Sequence, residues 1–192
     1  MSDSDSTISA KFVVAGGFGV GKTTFVSSIS EVASLQTAAV ITSATAGVHD
    51  RSTGGPTGST AVSVDLGRIR INDDLVVYLF GTPGPEHFGF VVDDLTSGAL
   101  GAVILVDGRR LADCFAAIDY FDAKAIPFVV ALNTFGRRSA PEPPAVRASL
   151  ELDDDVVVTV CDAGDRNSVK GVLLSLADVI LGGLDTDPLE LG

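Results

Sequence analysis

The stretch Gly16-Gly17-Phe18-Gly19-Val20-Gly21-Lys22-Thr23 has the spacing G-x-x-x-x-G-K-[ST] of a phosphate-binding loop. The apolar run Lys11–Ala15 before it is typical of a buried strand, and the apolar period after it predicts a helix over about 22–34. The motif needs this context, because the glycines let backbone N–H groups face phosphate oxygens and the helix N-terminus adds positive potential. The sequence therefore predicts a nucleotide phosphate site.

The residues of this loop have separate predicted roles. Lys22 is expected to contact the β and γ phosphates, and Thr23 is expected to ligate Mg²⁺. Lys22 is one of only four lysines in a chain with 25 acidic residues, so its position is informative. The predicted nucleotide-binding residues of this segment are Gly17, Phe18, Gly19, Val20, Gly21, Lys22, Thr23 and Thr24.

The composition excludes several classes of protein. The chain has 192 residues, of which 46% are hydrophobic, so one domain with a packed core is expected. The net charge of −12 argues against a nucleic-acid partner, because an acidic surface repels phosphate backbones. No apolar run approaches the ~20 residues of a membrane span. The start of the chain lacks signal-peptide features, and Cys114 and Cys161 have no metal or redox spacing, so a cytoplasmic protein is expected.

Strand and helix patterns alternate along the chain. We expect one domain over 10–182, with a disordered N-terminus over 1–9 and a flexible tail over 183–192. The runs 62–71 and 75–80 are expected to form an antiparallel hairpin, with a bulge at Gly67. Three more buried strands are expected at 102–106, 128–132 and 156–160. This order predicts an α/β fold with helices on both faces of a mostly parallel six-stranded sheet, which has one antiparallel edge hairpin.

Four stretches also resemble a known family. Val14–Phe25, Val64–Ile69, Leu79–Gly84 and Leu105–Phe115 are similar to the actinobacterial conservon GTPases, the CvnD group related to the polarity switch MglA. Over about 10–182, the order of elements resembles a small Ras-like GTPase. The resemblance implies a three-layer, Ras-like P-loop NTPase fold that binds GTP or GDP with Mg²⁺ as a signalling switch. It also implies a sensor-kinase-like protein, a roadblock-domain protein and a small adaptor as partners, which could recruit the chain to the membrane.

The same resemblance implies two switch segments. The first is the loop before the hairpin, where Thr60 is the candidate for contacting the γ-phosphate and Mg²⁺. Thr57 and Ser59 are alternatives, because the loop aligns loosely. The second is 81–90, where Gly84 is expected to contact the nucleotide.

Two further segments match the places where the family reads the base. Asn133-Thr134-Phe135-Gly136 stands where Asn-Lys-x-Asp normally reads guanine; Asn133 is kept, and Gly136 replaces the aspartate that accepts from the base. Asp162-Ala163-Gly164 stands where a backbone N–H near Ala163 is expected to meet the guanine oxygen, although this segment could be an ordinary strand-end turn. Because Gly136 has no acceptor, we expect poor discrimination between GTP and ATP.

The second switch departs from the family in two ways. Gly81 stands where an aspartate normally holds Mg²⁺ through water, and Asp65 could compensate. Pro85 stands where a glutamine normally orients the attacking water, and it has no polar side-chain atom. His87 could replace that group or be an exposed loop histidine. No catalytic residue is assigned.

Two functions from different classes remain open at this stage. The first is a guanine-nucleotide switch with weak or absent intrinsic hydrolysis; as an enzyme it is a GTP hydrolase that is slow without a partner. The second is a degenerate scaffold that acts independently of nucleotide. The intact loop favours the first, whereas Gly81, Pro85 and Gly136 favour the second.

Overall fold

The strands that the structure describes all lie in one sheet. The computed structural model describes residues 7–32, 35–42, 59–83, 90–137 and 141–186. The strands are β1 Ile8–Gly16, β2 Leu35–Thr42, β3 Ser59–Arg70, β4 Leu75–Gly81, β5 Gly101–Val106, β6 Phe128–Asn133 and β7 Val157–Cys161. The helices are α1 Lys22–Ile29, α2 Phe90–Thr96, α3 Phe115–Ala123, α4 Pro143–Ser149 and α5 Arg166–Thr186, and a 3-10 turn at Leu111–Cys114 precedes α3.

The sheet has the strand order β2-β3-β4-β1-β5-β6-β7. Strands β4, β1, β5, β6 and β7 are parallel, and β3 is antiparallel to both of its neighbours. The predicted α/β class and mostly parallel sheet are confirmed. Because the parallel strands share a direction, their carboxyl ends meet at one edge, where open α/β sheets bind ligands.

The sheet contains seven strands where the sequence predicts six. The additional strand is β2, which pairs with β3 from Leu35 opposite Leu66 to Thr42 opposite Ser59. β2 contains two alanines and three polar residues, so its apolar pattern is weak. The strand forms because it pairs with β3, and its own sequence does not predict it. The predicted hairpin, β3–β4, therefore lies one strand inside the edge of the sheet.

Helices cover both faces of the sheet and bury the strands between two cores. One core packs α1 and α5 against the sheet, and the other packs α2, α3 and α4 against the opposite face. All residues of β5 and β6 are buried, as expected for strands covered on both sides. The largest fully buried helix side chains are Phe25, Phe121 and Leu176. The predicted three-layer arrangement follows from these two cores.

β3 runs without the predicted bulge at Gly67. Its pairing with β4 keeps one register along the paired length. A β-carbon at Gly67 would lie 2.7 Å from Cγ1 of Val26, so this glycine lets α1 pack directly on the strand. The prediction was wrong because the change in apolar phase reflects burial on both faces of β3, where Val64 and Ile69 are both buried.

The ends of the domain differ from the predicted boundaries. β1 begins at Ile8, whose N–H donates to the carbonyl of Asp74 at 2.7 Å, so ordered pairing starts inside the segment 1–9. α5 continues to Thr186, beyond the predicted start of the tail at 183. The helix continues through Gly182 and Gly183, although a glycine inside a helix costs about 1 kcal/mol. Burial of earlier residues of α5 offsets this cost. None of the described helices combines the length and apolar content needed to cross a bilayer.

α1 is shorter than predicted and ends at Ile29 instead of residue 34. Ser30 is extended, and its Oγ accepts hydrogen bonds from the N–H groups of Val32 and Arg68. This side chain competes with the helical hydrogen bonds and turns the chain away.

Candidate nucleotide-binding site

The candidate site lies at the carboxyl edge of the sheet, where three loops meet. The loop Gly16–Gly21 joins β1 to α1, a second loop follows β6 at Asn133, and a third follows β7 at Asp162–Gly164. The parallel order places β1, β5, β6 and β7 in succession, so these loops become neighbours although they are far apart in the chain.

Gly21 closes the loop at the start of α1. Its φ of 105° is in the left-handed region, and a β-carbon there would lie 2.6 Å from Nδ2 of Asn133. Both the backbone conformation and the space therefore require glycine. The carbonyl of Gly21 accepts from the N–H of Phe25 at 2.8 Å, so the helix begins directly at the loop.

Lys22 lies inside the loop. Its Nζ donates to the carbonyls of Gly16 at 2.9 Å and Gly17 at 2.8 Å, and the residue is buried. Burial lowers the pKa of Lys22 to about 8, and the carboxylate of Asp65 opposes this shift. Phosphate oxygens beside this ammonium would favour its charged form, because an opposite charge offsets the cost of burial.

Thr23 contacts a carboxylate from another strand. Its Oγ1 donates to Oδ2 of Asp65 at 2.7 Å, and Asp65 is buried on β3. A β-carbon at Gly81 of β4 would lie 3.0 Å from Cβ and 3.1 Å from Oδ2 of Asp65. The Asp65 side chain therefore stands beside the empty side-chain position at Gly81.

The side chain of Asn133 joins the three loops. Its Nδ2 donates to the carbonyl of Val20 at 2.8 Å, and its Oδ1 accepts from the N–H groups of Phe135 at 3.1 Å and Ala163 at 3.2 Å. The structure thus brings together three predicted site residues. The N–H of Ala163 donates to the Asn133 side chain, whereas the sequence predicts that this N–H meets a guanine oxygen.

Asp162 lies next to Gly136, the glycine that stands at the position of the base-reading aspartate. Gly136 has a φ of 71°, and a β-carbon there would lie 3.6 Å from Oδ2 of Asp162. The other carboxylate oxygen, Oδ1, accepts from the N–H of Gly164 at 3.0 Å. Sequence reasoning treated Asp162 as part of a strand-end turn. The signal that could have found it is an aspartate directly after the strand that neighbours the Asn133 loop.

Arg109 forms an ion pair beside the loop that follows β6. Its Nε and Nη2 donate to the two carboxylate oxygens of buried Asp107 at 2.9 and 2.6 Å. Its guanidinium also lies 5.2 Å from the ring centre of Phe135. Hydrogen bonds from Arg109 hold the pKa of Asp107 at about 2, against the opposing effect of burial.

Arg110 reaches the tip of the phosphate loop. Its Nη2 donates to the carbonyl of Phe18 at 2.8 Å, while Nε and Nη1 each lie 3.6 Å from carboxylate oxygens of Asp107 and Asp113. Arg110 therefore pairs with two acidic side chains and also contacts the backbone of the phosphate loop.

A shallow, open cavity of about 390 Å³ lies along the exposed face of α1. The cavity extends between the metal-site candidate Thr23 and the loop that follows β7. Its lining residues are Thr23, Thr24, Ser27, Ser28 and Gly164.

Several predicted residues remain untested. The backbone of Thr60 pairs with Ile41, five residues before Asp65 on β3, which is about 16 Å along an extended strand. A contact between Thr60 and a metal at Thr23 would therefore require the start of β3 to move. Its role stays a prediction. The residues Thr57, Gly84, Pro85 and His87 lie outside the described residues.

The strand–loop–helix with Lys22 and Thr23, at the carboxyl edge of a mostly parallel sheet, defines a P-loop nucleotide-binding protein. A family model described as conserved hypothetical ATP binding protein matches residues 14–183, and the chain belongs to this family. No curated protein matches the chain. The predicted nucleotide-binding class is confirmed at this level. The family's description names ATP, whereas the resemblance implies GTP or GDP.

Proposed function

We propose that this protein is a nucleotide-dependent signalling switch that binds GDP and GTP with Mg²⁺ and hydrolyses GTP slowly or not at all without a partner. The observation that carries the proposal is the Asn133 amide, which connects the phosphate loop to the loops after β6 and β7, where the base is expected to bind. The Lys22 ammonium is buried against two backbone carbonyls, which satisfy its hydrogen bonds but do not neutralise its charge as phosphate oxygens would. The intact loop therefore favours a nucleotide ligand over the scaffold alternative.

The preference for guanine is supported by Asp162. Guanine presents two N–H donors on its pairing edge, whereas adenine presents an acceptor at the corresponding ring nitrogen. A carboxylate at the base end of the site would pair with the first and repel the second. Oδ2 of Asp162 lies 3.6 Å from the position of a β-carbon at Gly136, so the loop that follows β7 would supply the missing acceptor. Under this proposal the expected poor discrimination is replaced by a preference for guanine.

The remaining parts of the proposal rest on the resemblance. The partners are a sensor-kinase-like protein, a roadblock-domain protein and a small adaptor, as in the conservon group. The switch segments are the loop before β3 and the segment 81–90. Pro85 supports slow hydrolysis, because a proline cannot orient the attacking water through a side chain. The protein would then stay in its loaded state until a partner acts.

The test is the nucleotide content of freshly purified protein, followed by titration with fluorescent GDP and ADP. We expect bound GDP, and at least tenfold tighter binding of GDP than of ADP. Asp162→Asn should lose GDP affinity and gain affinity for xanthosine diphosphate, whose C2 carbonyl accepts from the new amide. Asp178→Asn, which makes the same charge change on the exposed side of α5, is the control.

Two results would contradict the proposal. Protein that contains no nucleotide and binds none in added Mg²⁺ would favour the scaffold. Tighter binding of ADP than of GDP, with no xanthosine response in Asp162→Asn, would show that the ligand is an adenine nucleotide and that Asp162 does not contact the base.

A further inference from the structure

The phosphate site has a glycine, Gly81, at the position of the aspartate that usually helps to hold Mg²⁺. In P-loop nucleotide hydrolases, Mg²⁺ is held by the loop Ser or Thr and by an aspartate from a neighbouring strand. Thr23 provides the first group here. The strand that neighbours β1 on this side is β4, and it ends in Gly81, which has no side chain.

The next strand along the sheet carries a carboxylate at the same level. Gly81 pairs with Val14 of β1 on one side and with Asp65 of β3 on the other. The three residues therefore form one row across the sheet at the start of the phosphate loop. A β-carbon on Gly81 would lie only 3.0 Å from Cβ of Asp65, so the Asp65 side chain uses the space that an aspartate on β4 would need.

The carboxylate is already in contact with the metal-site candidate. Oδ2 of Asp65 accepts from Oγ1 of Thr23 at 2.7 Å, and Asp65 is only 8% exposed. A threonine hydroxyl that donates its proton to a carboxylate keeps its lone pairs for a cation. The hydrogen bond thus orients the oxygen of Thr23, and the carboxylate lies within reach of a water on the same ion.

We propose that Asp65 replaces the missing aspartate at position 81 in holding Mg²⁺: it orients the Thr23 hydroxyl and accepts a hydrogen bond from a metal-bound water. The ligand is the divalent cation of a bound nucleotide, so the inference rests on the proposed nucleotide binding but not on guanine preference. The residues present fit a hard cation, which prefers oxygen ligands and keeps several waters.

The experiment measures release of a fluorescent nucleoside diphosphate in Mg²⁺ and in EDTA. In the wild type, EDTA should accelerate release at least tenfold. In Asp65→Asn, which keeps the size of the side chain, release in Mg²⁺ should approach the EDTA rate, while the EDTA rate itself should change less than twofold. Loss of an outer partner of a metal ligand typically costs 10- to 100-fold in metal affinity. Affinity for Mn²⁺, measured by paramagnetic resonance on the nucleotide complex, should fall to a similar extent.

A relocated carboxylate provides the positive control. The double variant Asp65→Gly with Gly81→Asp returns the carboxylate to β4 and removes the side chain that would collide with it, so it should recover sensitivity to EDTA. Asp119→Asn, on the exposed side of α3, should behave as the wild type. Circular dichroism and thermal melting check that each variant is folded.

The outcomes separate this inference from the proposed function. If the wild type binds nucleotide but EDTA does not change its release, or if Asp65→Asn keeps full EDTA sensitivity, the role of Asp65 is overturned and nucleotide binding stands. If the wild type binds no nucleotide in Mg²⁺, both the proposed function and this role are overturned. Rescue by the double variant, with loss in Asp65→Asn, establishes the role.

Discussion

Nδ2 of Asn133 donates to the carbonyl of Val20 at 2.8 Å, across 113 residues of the chain. This bond ties the end of β6 to the loop that follows β1, and β5 lies between these two strands. The phosphate loop is therefore held from the base side of the site as well as by its own helix. One amide therefore connects the phosphate loop to the loops that follow β6 and β7.

Asn133→Ala should lower both stability and nucleotide affinity. The substitution leaves a buried carbonyl and two backbone N–H groups without their partner, and each such group costs about 1–3 kcal/mol. We expect a lower free energy of unfolding and at least tenfold weaker nucleotide binding, measured by denaturant titration and fluorescent-nucleotide titration. Unchanged affinity in a folded variant would show that the phosphate loop keeps its shape without this amide.

Lys22→Ala should remove most nucleotide binding while the fold remains intact. Hydrogen bonds to charged groups contribute about 1.5–3 kcal/mol each, and a phosphate group accepts several, so a loss of roughly 100-fold or more is expected. Nucleotide titration beside circular dichroism measures both effects, and Lys170→Ala on the exposed side of α5 is the control. Equal affinity in the folded Lys22 variant would refute the phosphate-loop assignment.

The Asp107–Arg109 pair should give a defined acid response. The pKa of Asp107 lies at about 2 in the folded protein and near 3.8 in the unfolded chain. A depressed carboxyl pKa adds stability that is complete above pH 4 and is lost as the pH falls to 2. At neutral pH, Asp107→Asn should therefore be less stable than the wild type by roughly 1–2 kcal/mol. Denaturant melts between pH 2 and 7 should show this difference shrinking below pH 4; a difference that is constant with pH would contradict the assignment.

Pro85→Gln tests the expected slow hydrolysis. A glutamine at this position would orient the attacking water, so single-turnover hydrolysis of pre-loaded GTP should become faster. The wild type should turn over below the roughly 10⁻⁴ s⁻¹ of an ordinary small GTPase. His87→Ala should leave this rate unchanged. If the wild type is as fast as ordinary small GTPases and His87→Ala abolishes the activity, His87 is the catalytic residue and the expectation is wrong.

The sequence predicts the phosphate site and most of the sheet because the relevant signals are local. The run before Gly16 and the loop itself are contiguous. β5 and β6 are short apolar runs, of which the first is followed by Asp107 and the second ends in Asn133. Local patterns define such elements without knowledge of their neighbours. The weak pattern of β2 shows the limit, because that strand depends on its pairing with β3.

The two carboxylates of the site show a second limit. Asp65 is 42 residues from Thr23, and sequence alone left its role as one alternative. The sequence alone predicts a turn at Asp162, because the residues adjacent to it in the chain give no sign that it lies near Gly136. The positions of both residues follow only from the strand order and register, because each carboxylate lies beside a glycine that is distant in the sequence. Spacing along the chain does not encode such contacts.

The glycine at position 67 has a mechanical consequence. Gly67 lies two residues after Asp65 on β3, and Val26 lies three residues after Thr23 on α1. Val26 of α1 therefore packs directly on the backbone of β3 at Gly67, next to the Thr23–Asp65 contact. No side chain at Gly67 separates the helix from the strand. We therefore expect a displacement of α1 to move β3 with it.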